Sequence, residues 1–162
     1  MVLGAGLLLT ACASVQQPQY GISAGMLYPC PTSHACVSSQ ETDPKRRVEP
    51  LRFTSEWREA RSDLISAINS FAGVRIVSSH RNYLRAEFPS KALKNDDGNE
   101  YYFAPRMGVD DLEFYFNQSE RVIHMRSASR LGLLDLGENR ERVEALRKTF
   151  DALQAKRSNA PR

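Results

Sequence analysis

The stretch "VDDLEFYFNQSERVIHMRS", Val109 to Ser127, decides the fold class. Leu112, Phe114 and Phe116 alternate with Asp111, Glu113 and Tyr115, the period of a strand with one buried face. "NQSE" then makes a turn into "RVIHMRS", so the two runs predict an antiparallel hairpin. Upstream, "VRIVSSH" and "NYLRAEF" show the same period of two, with Leu84, Ala86 and Phe88 on one face and Tyr83, Arg85 and Glu87 on the other. Four strands are therefore expected.

Two helices flank them. Trp57, Ala60, Leu64, Ile68 and Phe71 recur at steps of three and four. Thr54 or Ser55 is placed to cap that run, Glu56 and Glu59 sit near its positive end, and Gly73 stops it. A second run from about Glu138 to Lys156 places Val143, Leu146, Phe150 and Leu153 on one stripe. The order α-β-β-β-β-α predicts an α+β domain: an antiparallel four-stranded sheet with two helices packed on one face.

At 162 residues, 41% of them apolar and 25% charged, the chain suits one compact domain. Residues 1–11 read as a signal segment, 12–26 as a polar tether, 27–156 as the domain and 157–162 as a tail. The stretch Gln40 to Pro50 carries "DPKRRVEP" and argues against regular structure. The long connection Ser90 to Gly108 contains the turn "NDDGN" and the apolar "YYF", which suits a flap. Asp96, Asp97, Asn99 and Glu100 lack the remaining spacing of a calcium loop.

The opening "MVLGAGLLLTA" is uncharged and too short to span a bilayer. With "LTAC", Leu9 to Cys12, it resembles a bacterial lipoprotein signal: an aliphatic residue at −3, small residues before the cut, and a thiol for acylation at Cys12. The resemblance implies a lipid-anchored envelope protein. Ala13 after the cysteine implies sorting to the outer membrane, facing the periplasm. Two cysteines then remain, Cys30 and Cys36, and in an oxidising compartment a disulfide is their simplest state. The short loop it closes implies about 2 to 3 kcal/mol in the chain-entropy model. A metal reading of Cys30, His34 and Cys36 lacks a fourth ligand and matches no common zinc spacing. No metal or other cofactor is expected.

Four blocks, "PCPTSHACVSSQ", "YLRAEF", "DDLEFYF" and "RSASRLGLLDLGENRERVEALR", resemble the domain of unknown function 1499 family, found in bacterial envelopes and chloroplasts. The resemblance covers roughly Cys30 to Leu153 and supports fold and location. It implies no activity, and Ser90 to Gly108 is longer than is usual in that family.

Function therefore rests on the residues. The net charge is +3, but residues 121–162 hold ten Lys and Arg against five Asp and Glu, so the excess is concentrated there. That segment suits an anionic lipid or another polyanion, or simply a solvated helix face; nucleic acid is not expected as a partner. "RSASR" sets Arg126 and Arg130 four apart around Ser127 and Ser129, with Arg140 and Arg142 at the start of the next helix. These groups suit a phosphate or carboxylate cradle. The competing reading pairs the arginines with Asp110, Asp111 and Glu113 across neighbouring strands, with Asp135 and Glu138 forming an Asp-x-x-Glu helix cap.

Ser127 or Ser129 with His124 and Asp111 is a distant nucleophile reading, without a "GxSxG" turn. Phosphate-binding and dinucleotide glycine loops are also absent from the sequence. The leading expectation is a binding or interaction module of the envelope. The alternatives are an enzyme acting on an anionic substrate at Arg126, Arg130 and Arg140, and a purely structural lipoprotein.

Overall fold

The computed structural model describes residues 19–31, 35–89, 93–94, 100–101, 108–130 and 137–159. Residues 1–11, read as a signal, Cys12, His34, Asp96, Asp97, Asn99, "YYF" beyond Tyr101, and Asp135 lie outside the described residues. The elements run β1 (Ile22–Ser23), β2 (Met26–Leu27), β3 (Cys36–Ser38), β4 (Leu51–Arg52), α1 (Trp57–Asn69), β5 (Arg75–Ser79) and β6 (Tyr83–Pro89). They continue with β7 (Leu93–Lys94), β8 (Glu100–Tyr101), β9 (Val109–Asn117), β10 (Val122–Ser129) and α2 (Glu138–Ser158).

The fold is α+β, with both helices on one face of an antiparallel sheet, but that sheet has six strands rather than four. Its order is β3-β10-β9-β6-β5, with β4 also paired to β10. The four strands read from periodicity are contiguous in it, from β10 to the β5 edge, and β9 and β10 are the expected hairpin, in register from Asn117 opposite Val122 to Asp110 opposite Ser129. The two additional strands have three and two residues, too short to show a period. They exist because β10 offers a free edge: Ser38 pairs with Arg126, and Leu51 with Ile123. Two further short pairs, β1 with β2 and β7 with β8, stand apart from the main sheet.

One face of the sheet is apolar. Leu84, Leu112, Phe114, Ile123 and Met125 are fully buried there against Leu64 and Ile68 of α1 and Val143, Leu146 and Phe150 of α2. The cap of α1 differs from expectation. Glu56 takes the N-cap position and its N–H donates to the Glu59 carboxylate at 3.3 Å, while Ser55 donates its hydroxyl to Gln154 of α2 at 3.2 Å. Gly73 turns the chain into β5 with φ +72°, where a Cβ would come within 3.2 Å of the Pro89 ring. At the other end of the helix pair, buried Asp63 accepts Arg157 Nη2 at 2.6 Å and Gln154 Nε2 at 2.5 Å.

Ahead of Leu27, chain from Gln19 onward packs on the sheet. β1 and β2 form a tight hairpin through Ala24 and Gly25, both with positive φ, as a twist-matched two-residue turn requires. The segment leads into the disulfide between Cys30 and Cys36, whose sulfurs lie 2.06 Å apart. Cys36 is fully buried at the start of β3, so the bridge ties the N-terminal segment to the sheet edge.

Candidate functional site

Polar residues gather in two places on opposite faces of the sheet. Strand alternation puts Tyr83, Arg85 and Glu87 of β6, Asp111 and Glu113 of β9, and Arg126 of β10 on the face away from the helices. Such a face is normally left to water. Here Gln19 to Leu27 lies across it as a strap, and Glu113, Asp111 and Arg126 become 0%, 2% and 3% exposed.

The strap completes most of the bonding of what it buries, and among the described residues Arg126 Nε alone of these groups is left without a partner. Glu113 accepts the Tyr83 hydroxyl at 2.7 Å, the Gly21 N–H at 2.7 Å and Arg126 Nη1. Arg126 Nη1 also donates to the Gln19 carbonyl at 3.1 Å. Asp111 accepts Arg130 through Nε at 2.7 Å and Nη2 at 2.9 Å, Arg85 Nη1 at 2.8 Å and the Tyr20 hydroxyl at 2.7 Å. Glu87 extends the chain of charges to Arg130 at 2.5 Å and Arg75 at 2.6 Å. The Arg85 guanidinium lies 4.2 Å from the centre of the Tyr20 ring.

These contacts fix the charge states. Burial pushes the Asp111 carboxyl up, but hydrogen bonds from Arg130 and Tyr20 and the charges of Arg130 and Arg85 outweigh it, holding Asp111 below the usual range. Hydrogen bonds from Arg75 and Arg130 hold Glu87 low. Burial, then the bond to Asp111, pushes Tyr20 up to about 12. Burial and the bond to Glu113 likewise push Tyr83 up. At neutral pH Asp111 and Glu87 are thus held ionised and Tyr20 and Tyr83 protonated, a set suited to holding a shape rather than moving protons.

The second cluster lies on the helix face, at the N-terminal end of α2. Ser127 donates to Asn139 Oδ1 at 2.6 Å, and Arg142 Nη1 donates to both, at 3.0 Å and 2.8 Å. Arg142 Nη2 reaches Asp110, and Asn139 Nδ2 reaches the Ala35 carbonyl and Ser129 Oγ, each at 3.2 Å. An open groove of about 260 Å³ beside it is floored by Phe71, Phe88 and Pro89 and edged by Arg142.

The candidate cradle is thus divided. Arg126 and Arg130 face the strap, Ser127 and Ser129 face the helices, and Arg140 turns away to the Lys45 carbonyl at 2.9 Å. Arg126, Arg130 and Arg142 each have a carboxylate partner. The nucleophile grouping is separated too, because the sheet lies between His124 with Asp111 and the two serines. The N-cap of α2 is Gly137, with φ +90°, and Glu138 is the first helical residue rather than the third. The Asp-x-x-Glu box therefore does not occupy the cap position, and Asp135 lies outside the described residues. Among the described residues no group of three or more His, Cys, Asp or Glu is placed to hold a metal. The sulfurs of Cys30 and Cys36 are committed to each other.

Sequence reasoning missed the strap's Tyr20 and Gly21, and also Ser39. Ser39 Oγ accepts the Met125 N–H at 2.9 Å and lies 3.2 Å from His124 Nδ1, whose ring stacks on Tyr115. Burial, partly opposed by Glu120, lowers the His124 pKa and keeps the ring neutral near pH 7. Ser39 is 4% exposed and bonded to the ladder, so this pair locks the sheet edge.

Comparison with known proteins adds one finding: the family model described as Protein of unknown function (DUF1499) matches residues 26–150. No curated protein and no solved structure matches the chain.

Proposed function

We propose, for a chain that belongs to the DUF1499 family, the role of a lipid-anchored envelope protein whose domain is a binding or interaction module. In this reading Cys12 carries the lipid, and the domain faces the periplasm from the outer membrane. The observation that carries it is the Cys30–Cys36 disulfide at the sheet edge, because such bonds persist in oxidising compartments. A binding role is supported over catalysis by the closed network under the strap. Asp111, Glu113 and Glu87 are each tied to guanidiniums, which leaves these carboxylates poorly suited to act as acid or base.

The strap also sets geometry in this reading. Since Gln19 is already docked, the link from Cys12 has seven peptide steps, at most about 25 Å when extended. The domain is then held close to the bilayer.

The test is Cys12→Ala in cells. Loss of the lipid mass on the mature chain and a shift from the membrane to the soluble fraction are expected. Unchanged membrane fractionation removes the anchor from the proposal.

A further inference from the structure

We infer that the end of the domain around Trp57 is a docking surface for the anionic phosphate headgroups of a membrane. Three elements meet there: the start of α1, the β5–β6 turn at residues 80–82 and the β9–β10 turn at 118–121. The Asn82 carbonyl accepts the Phe116 N–H at 2.9 Å, and Arg121 Nη1 donates to the Thr54 carbonyl at 2.8 Å, so the turns and the helix entry form one surface.

Its chemistry differs from that of the strap face. Arg58 and Arg81 set their guanidiniums 4.7 Å and 5.5 Å from the centre of the half-buried Trp57 ring. Arg61 beside them donates to Ser79 Oγ at 2.6 Å and the His80 carbonyl at 3.3 Å. Among the described residues none of these three arginines meets a carboxylate, whereas the arginines of the strap face are all paired. The nearest acid on the same helix, Glu59, is turned to Arg157 at 3.6 Å and to the Glu56 N–H.

A guanidinium held on an aromatic face keeps its outer N–H groups free for phosphate oxygens. Tryptophan beside arginine is also the combination favoured at the boundary between headgroups and acyl chains. The choice of a membrane over a dissolved phosphate rests on the anchored reading above, which holds the domain beside a bilayer.

Trp57 is the only tryptophan, so it reports directly. Full chain is mixed with vesicles of phosphatidylcholine alone or with added phosphatidylglycerol, and Trp57 emission is followed. A blue shift confined to the anionic vesicles and reversed by salt is expected. Arg58→Gln with Arg81→Gln lowers the apparent partition coefficient roughly 25-fold, about fivefold per charge, without lowering the melting temperature. Equal emission on both vesicle types, or an unchanged response in the double variant, overturns the inference. The same shift with dissolved glycerol phosphate alone overturns the membrane as occupant. Acylation is scored separately by intact mass: an unacylated chain that still responds to anionic vesicles sinks the anchor while this surface stands.

Discussion

The two faces of the sheet are buried by different means. Beneath the helices, Phe114 and Leu112 lie among other apolar side chains and need no partner of fixed direction. Beneath the strap, Glu113 lies between them in sequence, is just as inaccessible, and depends on three named donors. Apolar burial is non-directional and tolerates small shifts, whereas a buried ion pair holds only while its geometry is complete. The first face therefore supplies stability, and the second supplies a defined arrangement.

The largest expected effect is on the apolar face. Phe114→Ala removes a ring from a site with no exposure and should cost about 3 to 5 kcal/mol in urea unfolding. A loss under about 1 kcal/mol would falsify the core assignment.

Next comes a pair of variants on the charged face. Arg126→Met takes the guanidinium partner from buried Glu113 and should cost about 3 kcal/mol. Adding Glu113→Leu should recover most of that loss, because two apolar side chains replace both charges. If the double variant is worse than the single one, the network contributes net stability and the two faces differ less than argued.

The smallest effect concerns the strap alone. Tyr20→Phe deletes one hydrogen bond to Asp111 and should cost about 1 kcal/mol, with faster proteolysis before Cys30. The same variant bears on the pH dependence. Asp111 and Glu87 have depressed pKa values in the folded state, so the unfolded chain binds more protons as acid is added. Their stabilisation is present above the ordinary carboxylate range and is lost as pH falls through the folded values. Acid unfolding followed by circular dichroism should therefore begin at higher pH in Tyr20→Phe. An identical acid transition in the two proteins leaves Tyr20 without a part in holding Asp111 ionised.

Much of this is legible in the chain, and for local reasons. Alternation in "LEFYF" and "YLRAEF" is a property of the strand itself, so inward and outward residues follow without knowing the neighbours. The helix stripe at Val143, Leu146 and Phe150 is equally local, and reading Cys12 as a lipid-bearing cysteine leaves Cys30 and Cys36, which the structure joins. Strands β3 and β4 are not legible, since Leu51 and Arg52 alone carry no period and pair only because Ile123 and Val122 stand free. The docking of Tyr20 is hidden in a segment whose composition is that of a linker. Its partner lies 91 residues away.

Residue order alone is enough for the α+β class, the central strands, the two helices and the set of side chains that turn toward the helices, because periodicity acts over a few neighbouring residues. What each arginine does is settled only in three dimensions. Strand order β10-β9-β6 brings Arg130 and Arg85 to one aspartate, and the pleat sends Ser127 to the other side of the sheet from Arg126. Trp57 and Arg81 likewise meet only when a turn folds against a helix end. Coulomb and hydrogen-bond partners are set by distance in space, which the order of residues along a chain does not contain.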